Sequence, residues 1–349
     1  MPSPTDSPNL PPKAADLDVR GAVPAGLSGR LVGIGRDGVL HVVQVDEGRV
    51  SYRVRRFRTD AVVHNLVAFS GSILAFGADS PAYELSTEFD TLRRVDLAGN
   101  GRAVAAYPKH DPATGELHLI AHDTDGAQAH VVVSAGALTR HCSPVLDTPN
   151  RVTDLALTDD RVVFVADGHV GIESRDREPR TTWIATGAAA AHPVHAYDAG
   201  DTVVLLALTP SLERWTLHPG ARNIQREVLD PTPQRFAHGG NQGVDRALRC
   251  LWTIGESTIS QHDLVSSGHV HHDLRPDVPG DLVFVPDSTR QDHADGGWLI
   301  GFIHETSGAT TELRVIDAAD VTRPAIATVP IPRFVPRGLS CTWIPSIQQ

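Results

Sequence analysis

The sequence predicts an all-β chain folded as a seven-bladed propeller, and three observations lead there. Short runs rich in Val, Leu, Ile, Thr and Arg, broken by Gly, Asp, Asn and Pro, fill most of its 349 residues. Sustained helical periodicity is nearly absent, and the one alanine run, 188–191, is short and soon meets Pro193. Polar or aromatic residues set just ahead of the hydrophobic runs recur at a near-constant interval.

In chain order, residues 1–18 are polar and proline-rich and read as a disordered arm, leaving 19–349 as a single propeller domain. The strand-like runs then include 40–45, 73–76, 117–121, 162–166, 203–207, 248–254, 298–303 and 312–316. Ahead of such runs stand His64, Tyr107, Thr153, His195 and His238, separated by 43, 46, 42 and 43 residues. A period in the low forties, with about four strands in each, is the signature of propeller blades. One more period reaches Asp281, and a longer last unit reaches Ser340. That gives seven inner-strand starts. The first strands, 29–54, are predicted to share a blade with the C-terminal strand near 339–344, which closes the ring and leaves no free sheet edge.

Composition excludes several classes of function. A formal net charge of −11, with no basic patch, argues against a nucleic-acid partner. Lysine occurs only at Lys13 and Lys109, an arginine bias that points to a GC-rich bacterial genome. Cys142, Cys250 and Cys341 are too widely spaced for a disulfide framework or a CxxC metal site. They fit small buried residues in a reducing compartment. The polar start lacks the basic and apolar regions of a signal peptide, and no run of eighteen apolar residues offers a transmembrane segment. A cytoplasmic protein is expected.

Several segments, in order, resemble one family. Gly21-Ala22-Val23-Pro24 with Leu27-Ser28-Gly29 resembles an opening "G-x-x-P…L-x-G". Tyr107-Pro108-Lys109-His110-Asp111-Pro112-Ala113-Thr114-Gly115-Glu116 resembles "HPK-x-DP-x-TGE". Val152-Thr153-Asp154-Leu155-Ala156-Leu157-Thr158 resembles "VHDFAIT", and Ala237-His238-Gly239-Gly240-Asn241 resembles "FH-x-x-N". The run from Phe284-Val285-Pro286 to Pro336-Arg337-Gly338 follows the same family's C-terminal order. These motifs resemble the carotenoid cleavage oxygenases, the family that includes the retinoid isomerase of the visual cycle. The resemblance implies a seven-bladed propeller whose four axial histidines hold Fe(II). At those four positions this chain has Tyr107, Thr153, His238 and Ser340. The family glutamates that orient the ligand histidines fall on Asp281, near Ala78 or Asp79, and on Asp245.

Thr and Ser hydroxyls are poor ligands for Fe(II) beside neutral imidazoles. Losing three imidazoles and altering the groups that orient them predicts that the usual iron site is gone. The expectation is therefore no cofactor and an acid–base pocket. His238 is the candidate base or acid, Tyr107 the proton donor or oxyanion stabiliser, and Asp281 or Asp154 the residue that positions His238. Thr153, Ser340, His64, His195 and Asn241 are candidates for orienting substrate. Such a set suits a cyclisation, isomerisation, dehydration or lyase step on an apolar small molecule in bacterial specialised metabolism. Two alternatives stand beside it. One is an Fe(II) oxygenase with a rebuilt site from His64, His195 and His238. The other is a non-catalytic binding protein for an apolar ligand.

Overall fold

The computed structural model describes residues 16–35, 37–57, 62–134, 140–142 (backbone only), 150–175, 180–187, 191–240, 248–306 and 310–346. All regular elements among them are strands, arranged in seven sheets. No helix there is long and apolar enough to cross a membrane.

Six blades follow one another along the chain, each beginning at its inner strand. The inner strands are Val63–Phe69 in blade 1, Lys109–Asp111 in blade 2, Val152–Leu157 in blade 3, His192–Ala199 in blade 4, Phe236–Gly239 in blade 5 and Val278–Pro286 in blade 6. Within each blade the strands pair antiparallel in chain order, with 103–104 an additional strand in blade 2. Blade 7 is the closing blade. Ser340–Pro345 pairs with Gly29–Ile34, which continues to Val39–Asp46 and Arg49–Arg56. A second fastening lies next door, where Arg20–Gly21 pairs with Ala327–Ile331 at the outer edge of blade 6. Just before it, Leu17 N–H donates to Val50 O at 2.9 Å.

The hydrophobic runs are explained by what covers them. A blade has a neighbour on each face, so its middle strands bury both faces. Gly297–His304 is buried at every residue. Outer strands meet solvent and turn polar, as Gln225–Asp230 does. Seven apolar clusters result, one at each blade–blade junction. Leu66 of blade 1 shares a cluster with Val32 and Val42 of blade 7, and Leu117 of blade 2 with Phe76 of blade 1. Trp215 of blade 4 shares one with Val163 of blade 3, and Trp252 of blade 5 with Leu282 of blade 6. Charged pairs add links between blades 2, 3 and 4. Arg175 reaches Asp111 at 2.5 Å, Lys109 reaches Asp154 at 3.1 Å, and Arg161 reaches Asp198 at 2.5 Å.

Register shifts interrupt four inner strands near their starts. Pairing skips His64 in blade 1, Thr153 in blade 3, Val194 in blade 4 and the pair Gly280–Asp281 in blade 6. Such bulges re-aim a side chain. The shift in blade 4 falls on Val194, one residue before the His195 that the sequence spacing marks. His195 is back in register, opposite Leu206.

Candidate functional site

His238 sits in the inner strand of blade 5, opposite Trp252. The two glycines after it sit in close packing, and backbone fixes the second of them. A Cβ on Gly239 would meet Leu248 at 2.9 Å, and one on Gly240 would meet Ala294 O at 2.2 Å. Arg235, three residues earlier, donates to Gly255 O at 2.9 Å and to Pro279 O at 2.6 Å, tying blade 5 to the start of blade 6. Two residues past Pro279, the bulge carries Asp281.

The two side chains meet. His238 Nε2 lies 2.5 Å from Asp281 Oδ1, and the other carboxylate oxygen accepts Cys341 N–H of blade 7 at 2.8 Å. Asp281 is buried, with 3% of its side chain exposed, while His238 keeps 23%. An ionised carboxylate only accepts, so the contact puts a proton on Nε2 and leaves Nδ1 of the neutral ring as the atom with a lone pair. Behind the bulge stands His304, its Nε2 at 3.4 Å from where a Gly280 Cβ would lie. Burial, with Arg337 and Arg235 nearby, brings the His304 pKa down to about 4. Burial also drives the Cys341 thiol far above its ordinary value.

The other sequence candidates are spread round the ring. Asp154 does not reach His238. Its Oδ1 faces Lys109 Nζ at 3.1 Å and accepts the N–H of Leu155 at 2.7 Å. Burial raises its pKa against the pull of Lys109 and that N–H. Asp281 is therefore the carboxylate in contact with the histidine. Tyr107 is half-buried just before the inner strand of blade 2, three blades from His238. Thr153 is exposed at its bulge, its hydroxyl 3.4 Å from Val165 O. Ser340 opens the closing strand, next to the Cys341 that Asp281 binds. Asn241 and Asp245 lie outside the described residues.

His64 lines an open cleft of about 440 Å³ with Asp79 and Tyr83. Asp79 is paired with Arg151 and lies 4.0 Å from His122 Nε2. His195 stacks near Tyr197, ring centres 6.2 Å apart, and lines a different cavity. Thus His64, His195 and His238 stand on blades 1, 4 and 5. Among the described residues, no group of three or more His, Cys, Asp or Glu side chains is placed to hold a metal ion. The four positions where the family places iron ligands offer one imidazole, one phenol and two aliphatic hydroxyls, a donor set that does not fit Fe(II).

A cavity of about 450 Å³ was not foreseen from sequence. It lies between the inner strands of blades 2, 3 and 4, where Lys109, His110, Leu157, His195 and Tyr197 are among its walls. His238 is not part of that lining.

Comparison with known proteins adds the following. The family model described as retinal pigment epithelial membrane protein matches residues 63–167 and 167–345. A carotenoid cleavage oxygenase of Mycobacterium tuberculosis is 23% identical over an alignment covering 95% of each chain. An apocarotenoid-15,15'-oxygenase of Synechocystis is 28% identical over a segment covering 38% of this chain and 29% of that protein. Among solved structures, a variant of the Synechocystis apocarotenoid oxygenase superposes with a TM-score of 0.86 at 17% identity, covering 98% of this chain and 97% of that one. The cobalt-substituted form of that enzyme gives 0.83 at 17% identity, covering 96% of each chain. At these identities the likeness concerns the fold.

Proposed function

The chain belongs to the retinal pigment epithelial membrane protein family, and on that premise we propose a metal-independent enzyme that performs an acid–base step on an apolar small molecule. The observation that carries the reading is the His238–Asp281 pair, anchored by Cys341 N–H. Asp281 holds the ring through Nε2–H and stabilises the imidazolium that forms when Nδ1 takes a proton. The same ring then returns that proton elsewhere on the substrate. Cyclisation, isomerisation, dehydration and lyase steps all consist of one proton removed and one delivered, and a histidine is suited to both near neutral pH. Relatives named for cleaving carotenoids and resveratrol support a conjugated, largely apolar substrate.

The test is metal analysis and turnover on the same protein, purified without chelators. The expected result is iron well below one per chain, together with conversion of an apocarotenoid or related polyene that is lost in His238→Ala. Stoichiometric iron that disappears in His64→Ala or His195→Ala would instead establish a rebuilt oxygenase site. Binding of the polyene without conversion would establish a carrier.

A further inference from the structure

We propose that Lys109 is an imine-forming residue that captures a small aldehyde or ketone in the cavity between blades 2, 3 and 4, with Asp154 as its counter-ion. The chain has two lysines, and one of them lines a cavity of about 450 Å³. The Lys109 side chain is 32% exposed, and its Nζ lies 3.1 Å from Asp154 Oδ1, on a side chain only 7% exposed. Of the three carboxylates in the cavity lining, Asp111 is held by Arg175 at 2.5 Å and Asp198 by Arg161 at 2.5 Å. Asp154 stands outside that lining, and Lys109 is its ion-pair partner. Leu157, Pro193 and Val194 give the carbonyl compound an apolar wall.

The chemistry balances within that couple. Burial raises the proton affinity of Asp154, and its Oδ1 lies 3.1 Å from Nζ, so a proton passed from Nζ to Oδ1 removes both charges and frees the amine lone pair. The amine attacks the carbonyl carbon, forming the C–N bond as the C=O π bond breaks. A proton moves from nitrogen to the new oxygen, giving a carbinolamine. Asp154 returns its proton to that hydroxyl, which leaves as water as C=N forms. The iminium keeps the single positive charge that the ammonium had, opposite the same carboxylate. The reaction leaves the charge of the pair unchanged, and a lysine amine forms such imines with carbonyl compounds.

The experiment treats the intact protein with limiting hexanal and cyanoborohydride at neutral pH, followed by peptide mapping. The expected result is an alkyl adduct on Lys109 ahead of Lys13. The adduct is lost in Lys109→Arg, which keeps the ion pair, and forms more slowly in Asp154→Asn. Labelling of Lys13 with Lys109 left unmodified in the folded protein would overturn the proposal, as would equal labelling of Lys109 in folded and urea-unfolded protein. Should Asp154→Asn fail to fold, the Lys109-to-Lys13 ratio in the unsubstituted protein still decides.

Discussion

Asp281 joins three blades through one carboxylate, with His238 Nε2 2.5 Å from one oxygen and Cys341 N–H 2.8 Å from the other. Removing it leaves a buried amide without its acceptor and an imidazole without its anchor. Asp281→Ala is expected to destabilise the protein by about 1–3 kcal/mol. Asp281→Asn, which keeps an acceptor oxygen, should lose less. Urea denaturation of the two variants side by side checks the order, and equal loss would deny the carboxylate its bridging role.

Turnover should follow the same pair. If His238 moves the proton, His238→Ala is expected to lower the rate by roughly 10²–10⁴-fold. Asp281→Asn should reduce it in the same direction by misplacing the Nε2 proton. Steady-state rates on a converted polyene measure both.

Iron binding should be recoverable by restoring imidazoles. The triple variant Tyr107→His, Thr153→His, Ser340→His is expected to take up Fe(II) towards one per chain. The unsubstituted protein, with one imidazole at those four positions, should not. Elemental analysis after desalting decides, and an unsubstituted protein that retains one iron per chain would refute the assignment.

Acid should unfold this propeller early. Burial lowers His41, His262 and His304 to about 4 and His118 to about 3, against the opposing pull of Asp37 on His41, Asp230 on His262 and Asp111 on His118. In the unfolded chain these rings take up protons near pH 6.5, while the folded state refuses them. Stability is therefore full above about 6.5 and falls as pH drops towards 4, by up to about 1.4 kcal/mol per pH unit for each histidine. Below that, Asp111 and Glu213 extend the loss. Burial opposes their charge, but Arg175 and Arg226 outweigh it and bring both to about 2. Denaturant midpoints at pH 7 and pH 5 measure the slope, and a flat profile would contradict it.

The bulge that carries Asp281 depends on a residue in the next strand. A Cβ on Gly301 would stand 2.3 Å from Asp281 O and 2.9 Å from Leu282 Cα. Gly301→Ala is expected to cost about 1–3 kcal/mol through overpacking. It should also weaken the His238–Asp281 contact, visible as a changed imidazole NMR titration. A titration identical to that of the unsubstituted protein would show the bulge to be independent of Gly301.

The blade count was legible because strand spacing survives substitution. Every marked residue from His64 to Ser340 falls in or just before an inner strand. Side-chain direction was less legible. Spacing marks His195, yet the bulge that re-aims a residue lies at Val194, since one extra residue in a strand is invisible to a period in the low forties. Asp154 and Asp281 both read as partners for His238, and only the folded contacts tell them apart, Asp154 facing Lys109 and Asp281 facing His238. The Lys109 cavity had no signal beyond the scarcity of lysine, because it is assembled from the inner strands of three blades that are remote in sequence.

Blade 7 has a consequence for synthesis. Its three outer strands, 29–56, leave the ribosome among the first, but their inner partner, Ser340–Pro345, leaves among the last. The partner of their inner edge therefore emerges only after the strands of the other six blades. Cys341, which anchors Asp281, arrives with that final strand, so the site at His238 is completed only when the ring shuts.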